Sequence, residues 1–125
     1  MYAVSVSRTC IAQHYLTVPD PGPEGTLHSH RFGIEVEFRG PELNEYGYVV
    51  DIDAVIEALE SAVDGIRDRT LNDLPAFEGV NPSAERLARV VGDRLLDRLD
   101  PTTATELVVH VREDDVATVT HERGI

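Results

Sequence analysis

The sequence predicts an α+β domain in the order ββααββ, with an antiparallel four-stranded sheet and two helices on one face. Three observations carry this. Two segments near the N-terminus alternate with a period of two, two central segments carry apolar residues at i, i+3, i+4 and i+7, and two short segments with strand character close the chain. The 125 residues make up one domain, 1–125, long enough to bury a core and too short for two.

In residues 2–10, Tyr2, Val4, Val6 and Cys10 fall on one parity and Ser5 and Ser7 on the other, the pattern of a half-buried strand. Residues 19–26, Pro-Asp-Pro-Gly-Pro-Glu-Gly-Thr, are a loop by composition. Alternation resumes in residues 28–39: His28, His30, Phe32, Ile34, Val36 and Phe38 share one face, and Arg31, Glu35, Glu37 and Arg39 the other. Pro41, Asn44 and Gly47 supply turn chemistry. A helix is predicted from about Asp51 to Ile66, on the stripe Ile52, Val55, Ile56, Leu59, Val63 and Ile66, with Asp51 or Asp53 as its cap. Residues 67–82 are irregular. A second helix spans about Ser83 to Leu99, with Ser83 at its N-cap and Pro101 just past its end. Strands at 105–113 and 116–122 are joined across Asp114-Asp115 as a tight hairpin. A short sheet with both helices on one face leaves edges and a second face open, so self-association is expected.

Acidic residues number 23 and basic residues 11, a formal net charge of -12. Every basic residue is Arg; there is no Lys. So acidic a chain has no electrostatic footprint for nucleic acid and is repelled by an anionic membrane surface. No apolar run approaches a bilayer span and no signal peptide is visible, so the expected location is cytoplasmic. The single Cys10 excludes an intrachain disulfide. Acid excess without Lys points to a salt-adapted protein, because salt screens the repulsion among exposed carboxylates.

His28 and His30 lie two apart in an extended segment and leave the same face, so their nitrogens can reach one ion. His14, after the first strand, can supply a third ligand. Three neutral imidazoles with an open fourth position suit catalytic Zn²⁺. The same spacing also describes two half-exposed rings at a loop mouth, and the histidines alone leave both readings open. His110 and His121 have no partners at ligand spacing and read as ordinary strand residues.

Several blocks, in order, resemble the 6-pyruvoyl-tetrahydropterin synthase family, which includes 6-carboxy-tetrahydropterin synthase. Cys10-Ile11-Ala12-Gln13-His14 is similar to its Phe-x-Ala-Ala-His block, and Leu27-His28-Ser29-His30-Arg31-Phe32 to its x-His-Gly-His-x-Tyr block. Gly47-Tyr48-Val49-Val50-Asp51-Ile52 resembles Gly-Met-Val-Val-Asp-Phe, and Leu71-Asn72 the Leu-Asn after the first helix. Asn81-Pro82-Ser83-Ala84-Glu85-Arg86-Leu87-Ala88 resembles Asn-Pro-Thr-x-Glu-Asn-x-Ala, and Val109-His110-Val111-Arg112-Glu113 the late strand that ends in Glu. The resemblance spans nearly the whole chain. It implies the T-fold, zinc held by His14, His28 and His30, and assembly into hexamers with sites between subunits. It also implies a place in queuosine, archaeosine or folate-type biosynthesis.

Three departures stand out. The family's Cys a few residues before His-x-His is absent, and Glu24 lies in that loop, four residues before His28. Its Asp-His pair falls on Arg67 and Asp68. Ser29 replaces the Gly between the two ligands.

The resemblance implies 7,8-dihydroneopterin triphosphate as substrate, with zinc on its side-chain hydroxyls and Glu113 clamping the pterin through paired hydrogen bonds. Triphosphate elimination or side-chain cleavage needs a group that moves a proton. Glu24 is the first candidate, since a branch of the family with Glu in place of Cys is associated with cleavage to 6-hydroxymethyl-dihydropterin. It is otherwise one more surface acid. Asp68 is the second candidate, otherwise a solvated residue after helix one. Glu85 reads either as a substrate-binding residue or as an acid in the first helical turn that completes a capping box near Ser83. Two other functions stay open: a non-catalytic pterin- or purine-binding or assembly protein that keeps the zinc site, and an acidic interaction module with an incidental His-x-His. Arg8, Arg31, Arg67 and Arg69 are the nearest cations by sequence to the matched blocks for a triphosphate.

Overall fold

The computed structural model describes residues 1–125. Strands β1 (Tyr2–His14) and β2 (His28–Gly40) are followed by helices α1 (Ile52–Asp64) and α2 (Ala84–Arg98), then by β3 (Glu106–Glu113) and β4 (Ala117–Gly124). The four strands form one antiparallel sheet in the order β1-β2-β3-β4. Both helices cover one face, α1 against β1 and α2 against β3 and β4. This is the α+β architecture expected, ββααββ.

Period-two patterning sets which face is covered. Phe32, Ile34, Val36 and Phe38 of β2 are all buried beneath the helices, alongside Leu107, Val109 and Val111 of β3. Val55, Leu59 and Val63 of α1 and Leu87, Val91 and Leu95 of α2 complete the core from the other side. The side chains of Ser5, Ser7, Thr9, Glu35, Glu37, His110 and Arg112 have the opposite parity, so they line the uncovered face.

Asp51 caps α1: its Oδ1 accepts from the amides of Asp53 at 2.9 Å and Ala54 at 3.4 Å. Ser83 caps α2 by accepting from Arg86 N–H at 3.2 Å. Helix α2 therefore begins at Ala84, which puts Arg86 at the third position and Glu85 at the second. The capping box expected of Glu85 does not form. Gly40 is required where it stands, because a Cβ there would lie 2.6 Å from Thr103 O.

Several boundaries differ from the expectation, each for a local reason. Strand β1 continues to His14, which pairs with His28 in the ladder, so His14 is a strand residue and not part of a following loop. Ile52 opens α1 on its solvent side, 52 % exposed, and is no part of the core stripe. Helix α1 stops at Asp64, and Ile66 is buried from the turn that follows. Val116 falls in the β3–β4 turn, 89 % exposed, because Asp114 takes a left-handed conformation (φ 53°) and the loop runs over three residues. The inward residues of β4 are consequently Val119, His121 and Arg123, with Thr118 and Thr120 facing out.

Candidate functional site

The end of β1 and the start of β2 lie side by side, with His14 opposite His28 and Ala12 opposite His30. All three histidines have the parity that faces the helices. One ring nitrogen from each lies within 4.8 Å of the other two, and the ring centroids are 4.6, 5.1 and 4.7 Å apart. Phe32, the next inward residue of β2, makes edge contacts with His14 and His30 and forms an apolar floor.

Each Nδ1 is held by an acceptor. His14 Nδ1 meets Pro82 O at 2.8 Å, His28 Nδ1 meets Thr26 O at 2.7 Å, and His30 Nδ1 meets Asp114 Oδ2 at 2.6 Å. An acceptor opposite Nδ1 requires Nδ1 to carry the hydrogen, which leaves the lone pair on Nε2. All three Nε2 atoms are buried and lack a hydrogen-bond partner. Three buried, unpartnered lone pairs converging on one point could hold a metal ion, and three neutral imidazoles are a donor set that suits zinc. Burial dominates at His14 and pushes its pKa below the ordinary value, which keeps that ring neutral.

The matched asparagine blocks hold this cluster together. Asn72 brackets Tyr15, accepting from its N–H at 3.0 Å and donating to its carbonyl at 2.9 Å. Asn81 accepts from Thr17 N–H at 2.9 Å, and Pro82 supplies the carbonyl that fixes His14. The chain leaving β1 is thus clamped to the segment entering α2. The N–H of Leu16 then donates to the carbonyl of Glu24 at 2.8 Å, drawing the Gly22–Gly25 turn back over the histidines.

The expected site residues divide. A carboxylate oxygen of Glu24 and one of Glu113 group with a ring nitrogen of His30, all within 4.8 Å of one another. Glu113 Oε1 is 3.2 Å from His30 Nε2, at a side chain only 25 % exposed. Asp68 is not brought into this group. Its N–H donates to Ile11 O at 2.7 Å, three residues back along β1 from His14, or about 10 Å at the rise of a strand. Its neighbour there is Cys10, whose thiol pKa is raised mainly by burial. Glu85 is exposed at the start of α2 and forms no ion pair.

The cations expected to attract a triphosphate are mostly engaged elsewhere. Arg8 pairs with Glu60 and Arg67 with Asp64, while Arg31 points to the uncovered face, beside Arg112 and Asp115. Glu35, Glu37 and His110 form a second convergent group on that face, next to a concavity of about 380 Å³. The Arg39 guanidinium lies 2.6 Å from Glu37 and already partners one of these carboxylates. Asp114 joins the site unannounced by the sequence, which places it in the hairpin turn, because its partner His30 lies 84 residues away.

Comparison with known proteins agrees with this fold. The family model described as 6-pyruvoyl tetrahydropterin synthase matches residues 3–124. The chain is similar to the Caenorhabditis elegans 6-pyruvoyl tetrahydropterin synthase, with 20 % identity over 98 % of this chain and 97 % of that one, at a TM-score of 0.79. A Plasmodium vivax 6-pyruvoyltetrahydropterin synthase with a catalytic glutamate replaced by alanine matches at 15 % identity over 99 % and 98 % of the chains, with a TM-score of 0.82. The Plasmodium falciparum protein of the same name matches at 16 % identity over 99 % and 98 %, with a TM-score of 0.81. At these identities the structures show a shared fold.

Proposed function

The chain belongs to the 6-pyruvoyl tetrahydropterin synthase family, and on that footing we propose that it is a zinc-dependent lyase of pterin metabolism. Its substrate is 7,8-dihydroneopterin triphosphate, and the reaction is triphosphate elimination or side-chain cleavage. The observation that carries the reading is the set of three buried Nε2 atoms without partners, on rings fixed at Nδ1. Zn²⁺ bound there supplies a Lewis acid that polarises side-chain oxygens and acidifies the neighbouring C–H.

The chain's own residues do the rest. Glu24, grouped with His30, removes the side-chain proton. The replaced catalytic glutamate of the Plasmodium vivax relative supports a carboxylate in this role. Glu113 accepts the paired N–H donors of the pterin. Phe32 keeps water from the inner side of the histidines. Glu24 is exposed at the rim, where a second copy of the chain would close the site in the hexamer that the family implies.

Zinc-loaded protein incubated with 7,8-dihydroneopterin triphosphate tests the reading, with products identified by mass. Loss of triphosphate with the carbon skeleton intact assigns a synthase. Appearance of 6-hydroxymethyl-dihydropterin assigns carbon–carbon cleavage. Tight pterin binding without turnover at stoichiometric protein would assign a binding protein instead.

A further inference from the structure

We propose that Asp114 is the positioning residue that makes His30 a competent metal ligand, by holding its imidazole in the Nδ1–H tautomer; the proposal rests on the metal reading above. Two carboxylates flank the His30 ring, and only Asp114 hydrogen-bonds it. Asp114 Oδ2 lies 2.6 Å from Nδ1, and Glu113 Oε1 lies 3.2 Å from Nε2. A hydrogen on Nε2 would remove the lone pair aimed at the histidine cluster. The shorter contact to Asp114 draws the hydrogen to Nδ1. A charged acceptor on the far nitrogen also raises the basicity of the ligating one. His14 and His28 have only neutral carbonyls in that place.

Asp114 is itself fixed on three sides. Its Oδ1 accepts from Arg31 N–H at 2.9 Å, its own N–H donates to Arg31 O at 2.9 Å, and its backbone is left-handed with φ 53°. Both carboxylate oxygens are therefore committed as acceptors, one to the backbone and one to His30. Asn is isosteric and tolerates the same backbone conformation, yet it has only one acceptor oxygen. With that oxygen on Arg31 N–H, its NH₂ faces His30 Nδ1 and donates to it. The ring must then carry its hydrogen on Nε2, the nitrogen that faces the other two histidines.

The test uses Asp114→Asn, with Asp114→Gly as a second variant that removes the acceptor while keeping the turn free of strain. Long-range ¹H–¹⁵N correlations of the metal-free protein report the His30 tautomer, and competition with a chromophoric chelator reports zinc affinity. The wild type is expected to show Nδ1–H and both variants Nε2–H, with zinc affinity about 10- to 100-fold lower. A zinc-binding wild type whose variants match it in affinity, or keep the Nδ1–H form, overturns this proposal alone. A wild type that binds no zinc overturns the metal reading and this proposal with it, and the two failures are thereby distinct.

Discussion

His14 Nδ1 and the carbonyl oxygen of Pro82 are 2.8 Å apart across 68 residues of chain, inside the protein. This bond joins the last residue of β1 to the entry of α2 and aims the buried Nε2 at the two other rings. His14 is 2 % exposed, so its loss is felt by the fold as well as by the site. His14→Ala empties a packed position and leaves the Pro82 carbonyl unpaired, which is expected to cost about 2–4 kcal/mol. Urea unfolding of the metal-free protein measures that cost, and zinc is expected to restore none of it. Full stabilisation of the variant by zinc would contradict the placement of His14 in the donor set.

Glu24→Gln separates proton transfer from metal binding. The amide keeps the size of the side chain and cannot take up a proton, so turnover is expected to fall by about 100- to 10,000-fold. Zinc affinity should remain close to that of the wild type, because the three ring nitrogens are untouched. If turnover survives in Glu24→Gln, the base lies elsewhere.

The uncovered sheet face carries an acid-sensitive contact. Arg39 hydrogen-bonds Glu37 at 2.6 Å and holds its carboxyl below the ordinary carboxylate range, with His110 helping and partial burial opposing. Glu37 thus releases its proton more readily folded than unfolded. Its contribution to stability is present above about pH 4.5 and is lost as pH falls through the lowered value. Wild type and Glu37→Gln are expected to differ in urea midpoint at pH 6 and to converge in stronger acid. A difference that is the same at both pH values would show that Arg39 does not act through charge.

Much of this was legible in the residues, because the signals were local or repetitive. Alternation exposed the faces of β1 and β2, and two helical stripes placed α1 and α2. The His-x-His spacing could name two candidate ligands because a strand returns to the same face every second residue. Asp51 at an N-cap is likewise a local signal, and Asp51→Ala is expected to cost about 1 kcal/mol by thermal unfolding, well above the effect of Glu85→Ala, which removes only an exposed acid. Contacts between distant segments were not legible. Asp68 looked available as a base by its place in the sequence, yet its backbone is tied to Ile11, well short of the histidines. Asp114 looked like turn chemistry, and only the pairing of β2 with β3 carries it to His30.

Charge governs how a triphosphate reaches the histidines. A net charge of -12 repels a triphosphate over long range. Two of the arginines near the matched blocks are already neutralised, Arg8 by Glu60 and Arg67 by Asp64, and Arg31 faces away from the histidines. Arg69, exposed and without an ion pair, is the one of the four left to offset it, and the rest of the repulsion is screened by the medium. The screening length falls from about 10 Å at 0.1 M salt to about 3 Å at 1 M, so substrate reaches the site more readily as salt rises. The effect belongs to encounter and not to proton removal, so KM is expected to fall between 0.1 M and molar KCl while kcat changes little. Steady-state kinetics across that range decide it: a KM that rises with salt would mean that a cationic surface, such as one contributed by a second subunit, captures the triphosphate after all.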